Sequence, residues 1–193
     1  PVWIAGSTHA GEEEIILEAH QQLTAEHHNL VLILAPRRIE RVEEVVTLLK
    51  KKNISFALRS SLKHAETVIL IDTMGELAKV YSLGQVAFIG KSLIKPGGGH
   101  SLIEPLSYGL PVLYGPFVEN IGHVADKAHE LGLAITVQNS KDIKEKVHHF
   151  LENKSLCHKL EEKALSFTTE QKGASEKMVG IITKTLTAYP SSQ

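Results

Sequence analysis

The chain has 193 residues, 42% of them hydrophobic, which is enough apolar side chain to fill the core of one large domain. Its 21 basic and 22 acidic side chains give a formal net charge of -1, so the composition provides no whole-domain attraction to nucleic acid or to an anionic membrane. The single cysteine, Cys157, excludes an intrachain disulfide and is typical of a reducing compartment. We interpret it as a packing residue.

The first element is a predicted strand over Val2 to Ala5, followed by a tight loop and a helix that opens with three glutamates, residues 12–14. Acidic side chains suit the positive end of a helix, and this is our interpretation of the last two glutamates. The loop lacks the GxGxxG spacing that an NAD-binding fold places after its first strand. Ser7 and Thr8, at the end of the strand, are instead candidates for side chains that face a ligand.

The next strand is predicted over Leu30 to Leu34, an unbroken apolar run that indicates burial on both faces and therefore a parallel sheet. It ends at Pro36, Arg37 and Arg38. A guanidinium at this position either lies at the surface or binds a phosphate, and we select Arg37 as the ligand-facing one. Arg41 to Lys52 then has the spacing of an amphipathic helix.

Two further strands are predicted over Ile54 to Leu58 and Thr67 to Ile71, separated by a polar surface loop. The second is followed by Asp72 and Thr73, either of which is a candidate helix cap.

Met74 and Gly75 come next, at the carboxyl end of that strand. Glycine allows the backbone to approach a flat ligand closely, and the position of Met74 makes it a candidate for contact with a base.

The central stretch of the sequence runs from a predicted strand, Val86 to Ile89, through the glycines 97–99 to a predicted helix from Ser101 to Tyr108. Glycines before a helix start favour an anion site, because free N–H groups and the helix dipole face the ligand. We therefore expect Gly98 and Gly99 to locate a phosphate and Glu104 to bind a ribose. The alternative is a flexible turn in which Glu104 only complements the dipole.

The rest of the chain is predicted to add a strand over Val112 to Tyr114, a helix over Asn120 to Leu131 and a strand over Ala134 to Val137. Three helices follow: Lys141 to Glu152 capped by Ser140, Ser155 to Leu165, and a terminal helix at about 174–188 that carries Val179, Ile182 and Leu186. We expect this terminal helix to pack on another domain.

The 11 histidines are scattered, and pairs such as His27-His28 and His148-His149 are predicted on polar helix faces or ends. No HExxH or similar ligand spacing is present, so we expect no metal site.

Several blocks of the sequence, taken together, resemble the C-terminal half of a Kdo transferase, the enzyme that moves 3-deoxy-D-manno-oct-2-ulosonic acid from its CMP-activated form onto lipid A. The blocks are Val2-Trp3-Ile4-Ala5, Ser7-Thr8-His9, Gly11-Glu12-Glu13, Pro36-Arg37, Asp72-Thr73-Met74-Gly75-Glu76-Leu77, Phe88 to Leu93, Gly98-Gly99-His100 with Glu104, Pro111-Val112-Leu113, Gly115-Pro116, Asn120 and Gly173-Ala174. They span nearly the entire chain. Four positions depart from the usual family residue: Arg38 and Phe117 replace histidine, Lys91 replaces glycine, and Ser101 replaces asparagine.

The resemblance implies an α/β fold, a Rossmann-like parallel sheet with helices on both faces, which is the C-terminal half of a GT-B glycosyltransferase. Residues 1–193 are then one nucleotide-sugar-binding domain. The family's CMP contacts fall onto Pro36, Arg37, Met74, Gly75, Glu76, Ser101, Leu102, Ile103 and Glu104.

The same resemblance implies an inverting, metal-independent transfer of Kdo to lipid A in lipopolysaccharide biosynthesis. CMP-Kdo is the donor substrate and no cofactor is expected. The acceptor, a lipid A precursor, binds a missing N-terminal domain, which also carries the catalytic base, so no catalytic residue is assigned here and the fragment is expected to be inactive.

For the full-length protein the resemblance implies the cytoplasmic face of the bacterial inner membrane. The apolar runs of this chain are too short to span a bilayer, and we find no signal peptide, so we expect a soluble fragment that reaches the membrane surface only through the rest of the protein. Two alternatives remain open: a domain of a UDP-sugar-dependent GT-B enzyme, and a non-catalytic nucleotide-binding α/β module.

Overall fold

The computed structural model describes residues 1–64 and 66–188. Its strands are β1 (Val2–Thr8), β2 (Val31–Pro36), β3 (Phe56–Leu58), β4 (Val68–Leu70), β5 (Val86–Ile89), β6 (Val112–Tyr114) and β7 (Ala134–Thr136). They form one 7-stranded sheet in the order β3-β4-β2-β1-β5-β6-β7, and every neighbouring pair is parallel. The predicted α/β fold with a Rossmann-like sheet is therefore confirmed.

The α-helices are α1 (Glu12–Thr24), α2 (Val42–Lys51), α3 (Leu77–Val80), α4 (Ile103–Leu106), α5 (Gly122–Glu130), α6 (Ser140–Glu152) and α7 (Lys154–Ala188), with 3-10 turns at Ile39–Arg41, Arg59–Ser61 and Tyr81–Leu83. α2 buries Val42, Val45, Val46 and Leu49, as its helical spacing predicts. On α1, the apolar side chains of Ile16, Leu17 and Leu23 are fully buried, and this helix packs beside α6.

The central strands are buried on both faces, and this explains their continuous apolar sequence. Leu32 and Leu34 are fully buried, and so is Trp3 on β1. Since all strands are parallel, their carboxyl ends meet at one edge.

Two helix starts differ from prediction. Asn139, not Ser140, caps α6, because its side chain accepts a hydrogen bond from the N–H of Asp142 at 2.9 Å. Neither Asp72 nor Thr73 caps α3. Asp72 instead accepts hydrogen bonds from the backbone and hydroxyl of Ser60, which fix the loop after β3.

The last two predicted helices are one continuous helix, α7, which passes through Ser155 and Leu165 without a break. The side chains of residues 172–182 and 184–188 lie outside the described part of the chain. The expected packing of the segment 174–188 on another domain depends on these side chains, so it lies outside the described part of the chain. In the part of the chain that the structure describes, no helix combines the length and apolar content that a membrane span requires.

The predicted helix from Ser101 to Tyr108 is much shorter, because α4 is a single turn. Ser101 Oγ accepts a hydrogen bond from the N–H of Ile103 at 3.3 Å, without capping the helix in the usual way. A single turn has a small dipole, so the field expected at this helix start is weaker than predicted.

Candidate functional site

A cavity of about 540 Å³ opens at the carboxyl edge of the sheet. Its lining comes from the ends of four strands: Ser7 and His9 at β1, residues 35–40 at β2, Ile71, Thr73, Met74, Gly75 and Leu77 after β4, and Lys91 and His100 after β5. Ligands of open parallel sheets bind at this edge, beside the point where the strand order reverses, which here is the pairing of β1 with both β2 and β5. The volume suits a ligand of nucleotide size.

The charged side chains of the cavity are mainly cationic. Arg37, Arg38 and Lys91 line it, against one carboxylate, that of Glu40. The sequence predicts only Arg37 as a ligand-facing side chain, whereas the turn after β2 brings Arg38 to the same cavity. This excess of positive charge favours an anionic ligand.

Two histidines that sequence reasoning did not select form a pair in the cavity. The Nε2 atoms of His9 and His100 are 3.0 Å apart, and the rings stack with centroids 5.2 Å apart. Burial lowers the pKa of both, and for His100, where the neighbouring His9, Arg37 and Lys91 add to the effect, it lowers the pKa to about 4. The free site therefore holds neutral imidazoles at neutral pH, one donating to the other.

Met74 and Gly75 form an open side of the cavity. Met74 is 84% exposed, and it belongs to the lining of the cavity. Gly75 has φ 79°, and no atom lies within 4 Å of the position that a Cβ would take. Glu76, in contrast, does not line the cavity: it accepts from Arg59 at 3.1 Å and from the Thr73 hydroxyl.

The glycine loop differs from what the sequence predicts. The N–H of Gly98 donates to the carbonyl of Phe117 at 3.1 Å, and that of Gly99 to the carbonyl of Lys91 at 2.7 Å. These two N–H groups therefore do not face a phosphate, and we correct that expectation. A Cβ at Gly98 would overlap the Asn120 side chain, and one at Gly99 would overlap Ile121. The glycines allow residues 117–121 to cross the loop closely.

The residues after His100 extend beside the cavity but are not part of its lining. Ser101 and Glu104 are exposed, whereas Leu102 is fully buried and Ile103 partly buried. The N–H groups of Ser101 and Leu102 donate to no acceptor in the part of the chain that the structure describes. The carboxylate of Glu104 adds to the effect of burial in raising the pKa of Tyr81.

Beneath the cavity, Glu12 holds the loop that follows β5. It is 1% exposed, and its carboxylate accepts four backbone N–H groups: His9 at 2.9 Å, Lys91 at 2.8 Å, Ser92 at 3.0 Å and Leu93 at 2.9 Å. Two of these hydrogen bonds fix the backbone of His9 and Lys91, which line the cavity. The sequence shows an acidic first turn but not these partners.

Glu13 is buried as well, so its main role is not the one that we predict from the helix dipole. It pairs with Arg41, whose Nη1 lies 2.6 Å from its Oε1, and it accepts from the hydroxyl of Thr8 at 2.9 Å. Burial raises the pKa of Glu13, and the hydrogen bond from Arg41 opposes the rise. Thr8 is fully buried in this network and does not face the cavity, in contrast to Ser7.

Comparisons with known proteins agree with this geometry. Residues 9–167 match the family described as "Glycosyl transferases group 1". The chain is 38% identical to the 3-deoxy-D-manno-octulosonic acid transferase of Haemophilus influenzae over 186 residues, which are 94% of this chain and 43% of that protein. It is 34% identical to the enzyme of the same name from Aquifex aeolicus, over 83% of this chain and 44% of that protein. The chain thus spans less than half the length of these two relatives.

A solved structure covers the same region. The crystal structure of the C-terminal CMP-Kdo binding domain of WaaA from Acinetobacter baumannii aligns with a TM-score of 0.81 and 32% identity, over 86% of this chain and 87% of that one. This high coverage on both sides identifies which part of the enzyme the chain represents. The chain belongs to the group 1 glycosyl transferases, and within them it corresponds to the C-terminal domain of the 3-deoxy-D-manno-octulosonic acid transferases.

Proposed function

We propose that this chain binds CMP-Kdo as the donor domain of an inverting glycosyltransferase that transfers Kdo to a lipid A precursor. The observation that carries the proposal is the cationic cavity at the carboxyl edge of the sheet, in a chain that matches a CMP-Kdo binding domain over almost its whole length. In this proposal CMP-Kdo is a substrate, not a resident cofactor.

The charge of the cavity fits this donor. CMP-Kdo carries a phosphodiester and a sugar carboxylate, and the CMP that leaves carries a second phosphate charge. Arg37 and Arg38 extend from the end of β2 and Lys91 from the loop after β5, so the cations approach the ligand from two sides. A guanidinium binds phosphate in a bidentate way, and fixed positive charge stabilises the charge that develops as CMP departs.

The nucleoside is accommodated by the open side of the cavity. Pro36, Met74 and Gly75 present a surface without large polar groups, on which a flat base can lie. The exposed carboxylate of Glu104 is the proposed ribose contact, reached from the cavity past His100. Free N–H groups at Ser101 and Leu102 replace those of Gly98 and Gly99 as the proposed backbone donors within the described residues.

The acceptor and the base that activates it are assigned to the part of the full-length relatives that this chain does not span. The chain by itself then binds the donor but transfers nothing. We place the complete protein at the cytoplasmic face of the bacterial inner membrane, where a lipid A precursor is available.

Calorimetric titration with CMP and UMP tests the donor assignment. We expect CMP to bind more tightly, because the cytosine and uracil edges present opposite donor and acceptor patterns. The Arg37→Ala/Arg38→Ala variant should lose affinity for CMP by about 10-fold or more. The control is Lys141→Ala, which removes an 80% exposed cation from α6 and should bind as wild type does. Equal affinity in the double variant and wild type would contradict the site, and a preference for UMP would favour a UDP-sugar enzyme.

A second assay tests whether the chain that binds the donor can also transfer Kdo. Incubation of the chain with CMP-Kdo and a lipid A precursor should give no transfer, whereas the same chain should still bind CMP. Transfer by the isolated chain would overturn the assignment of the base to another domain.

A further inference from the structure

A cluster of ionisable side chains lies where the end of α1 meets α6. Glu26 and His27 follow α1, whereas His148 and Glu152 belong to α6. None of the four lines the cavity. The sequence predicts histidines on separate polar helix faces, but the fold brings two of them into contact across 121 residues.

The geometry points to a binding site for a divalent transition metal, Zn²⁺ in the first instance, formed by Glu26, His27 and His148. Nε2 of His27 and Nδ1 of His148 are 3.0 Å apart, and Nδ1 of His148 is 3.2 Å from Oε2 of Glu26. One ligand atom from each residue lies within 4.8 Å of the others. Ligands about 2.05 Å from a tetrahedral Zn²⁺ are about 3.3 Å apart, so two of the three pairs already have the required separation.

The surrounding side chains leave the correct atoms available for the ion. Nδ1 of His27 faces Oε1 of Glu152 at 3.8 Å, whereas Nε2 faces His148 and is the nitrogen available to a metal. Lys144 holds Oε1 of Glu26 at 2.7 Å, which leaves Oε2 on the side of His148. Glu152 and Lys144 are thus positioning residues.

The donor set selects the class of metal. Two imidazole nitrogens and one carboxylate suit Zn²⁺, Ni²⁺ or Cu²⁺, whereas Mg²⁺ and Ca²⁺ prefer oxygen ligands. Three protein ligands leave a fourth position for water on the exposed side, where His148 and Glu26 are 41% and 44% exposed. The ion would join two elements that are distant in sequence, and so stabilise the fold.

Calorimetric titration of the full chain with Zn²⁺ tests the site. Wild type should bind Zn²⁺, and His27→Ala/His148→Ala should lose at least about 10-fold in affinity for this site. The matched control is His28→Ala/His149→Ala, which removes two exposed histidines from the same two segments, one position further along. It should bind Zn²⁺ as wild type does. Equal binding by the two double variants, or no binding by wild type, would overturn the inference.

The His9 and His100 pair of the cavity is another place where imidazole nitrogens approach closely. All titrations are therefore repeated in a His100→Ala background, where the heat that depends on His27 and His148 must persist. If that heat disappears, the ion binds in the cavity and the inference fails.

Two further measurements separate metal binding from a structural role of the cluster. Glu152→Gln should lower the Zn²⁺ affinity by about 10-fold with unchanged stoichiometry, because it removes the negative charge that faces Nδ1 of His27. Saturating Zn²⁺ should raise the unfolding temperature of wild type and of the His28→Ala/His149→Ala control but not that of His27→Ala/His148→Ala. An equal rise in all three proteins would contradict the site.

Discussion

Oε1 of Glu12 accepts the backbone N–H of Ser92 at 3.0 Å, across 80 residues of sequence. The same carboxylate accepts three further N–H groups, and this arrangement joins the start of α1 to the loop after β5. The loop carries Lys91 into the cavity, so one buried acid fixes part of the site.

Glu12→Gln should lower the free energy of unfolding by about 3 kcal/mol, because the amide group of glutamine turns a donor toward N–H groups that need an acceptor. Glu14 lies in the same turn but is exposed, and Glu14→Gln should change the free energy by less than about 0.5 kcal/mol. Urea unfolding of both variants measures the difference. Similar stabilities for the two would mean that the four hydrogen bonds do not hold the loop.

Loss of the Arg41 side chain should affect the stability of the protein, whereas loss of the Arg38 side chain should affect CMP binding. Arg41→Ala leaves the buried carboxylate of Glu13 without its cation and should lower the free energy of unfolding by about 3 kcal/mol. Arg38→Ala removes an exposed guanidinium from the cavity and should leave stability within about 0.5 kcal/mol while CMP binding weakens. Urea unfolding and calorimetry on both variants provide the comparison. Equal loss of stability in the two variants would contradict the separation of these roles.

His20 should make the stability of the protein depend on pH. Burial lowers its pKa to about 4; its Nδ1 accepts from the indole N–H of Trp3 at 3.2 Å, and its Nε2 lies 2.9 Å from the carbonyl of Thr67. Below about pH 6.5 the unfolded chain binds a proton on this imidazole, whereas the folded chain does not. The contribution of neutral His20 to the free energy of unfolding is therefore complete above that pH and decreases as the pH falls toward 4. Between pH 7 and pH 5 the decrease due to His20 is about 2 kcal/mol.

The measurement compares urea unfolding at pH 7 and pH 5 for wild type and His20→Gln. The variant is expected to be less stable at pH 7, since its hydrogen bonds are weakened, but its loss between the two pH values should be smaller by about 2 kcal/mol. His9 and His100 titrate in both proteins and cancel in this difference. The same pH slope in both proteins would show that His20 is not the group responsible.

Gly115 and Gly122 provide a steric test of the packing after β6. A Cβ at Gly115 would overlap the carbonyl oxygen of Ser92 and Cα of Leu93, so Gly115→Ala should destabilise the protein by about 2 kcal/mol or more. At Gly122, the first residue of α5, no atom lies within 4 Å, and Gly122→Ala should be neutral or stabilising by up to about 1 kcal/mol. Thermal unfolding distinguishes them. Equal transition temperatures would contradict the close approach of residues 92 and 115.

The strands of the sheet could be predicted from the sequence, because they are short apolar runs followed by polar or glycine-rich turns. Val86–Ile89 and Val112–Tyr114 have the predicted bounds. Helix ends were harder to predict, since capping depends on backbone geometry: Asn139 and Ser140 are both good caps by composition, and only the backbone shows which one accepts the N–H of Asp142.

The site was predictable only where residues lie within a few positions of a strand's carboxyl end. Arg37 and Met74 belong to this class, and both line the cavity. The bonds of Gly98 and Gly99 to Phe117 and Lys91 depend on contacts between loops, which no local pattern encodes. The same reason applies to Glu12, whose amide partners other than His9 lie about eighty positions away.

The four amide bonds to Glu12 have a thermodynamic consequence for ligand capture. A loop that is immobilised from below before the ligand arrives does not lose conformational entropy when the ligand binds. Association at this wall of the pocket therefore approaches rigid docking, and its strength reflects the direct contacts rather than the work of ordering a mobile segment.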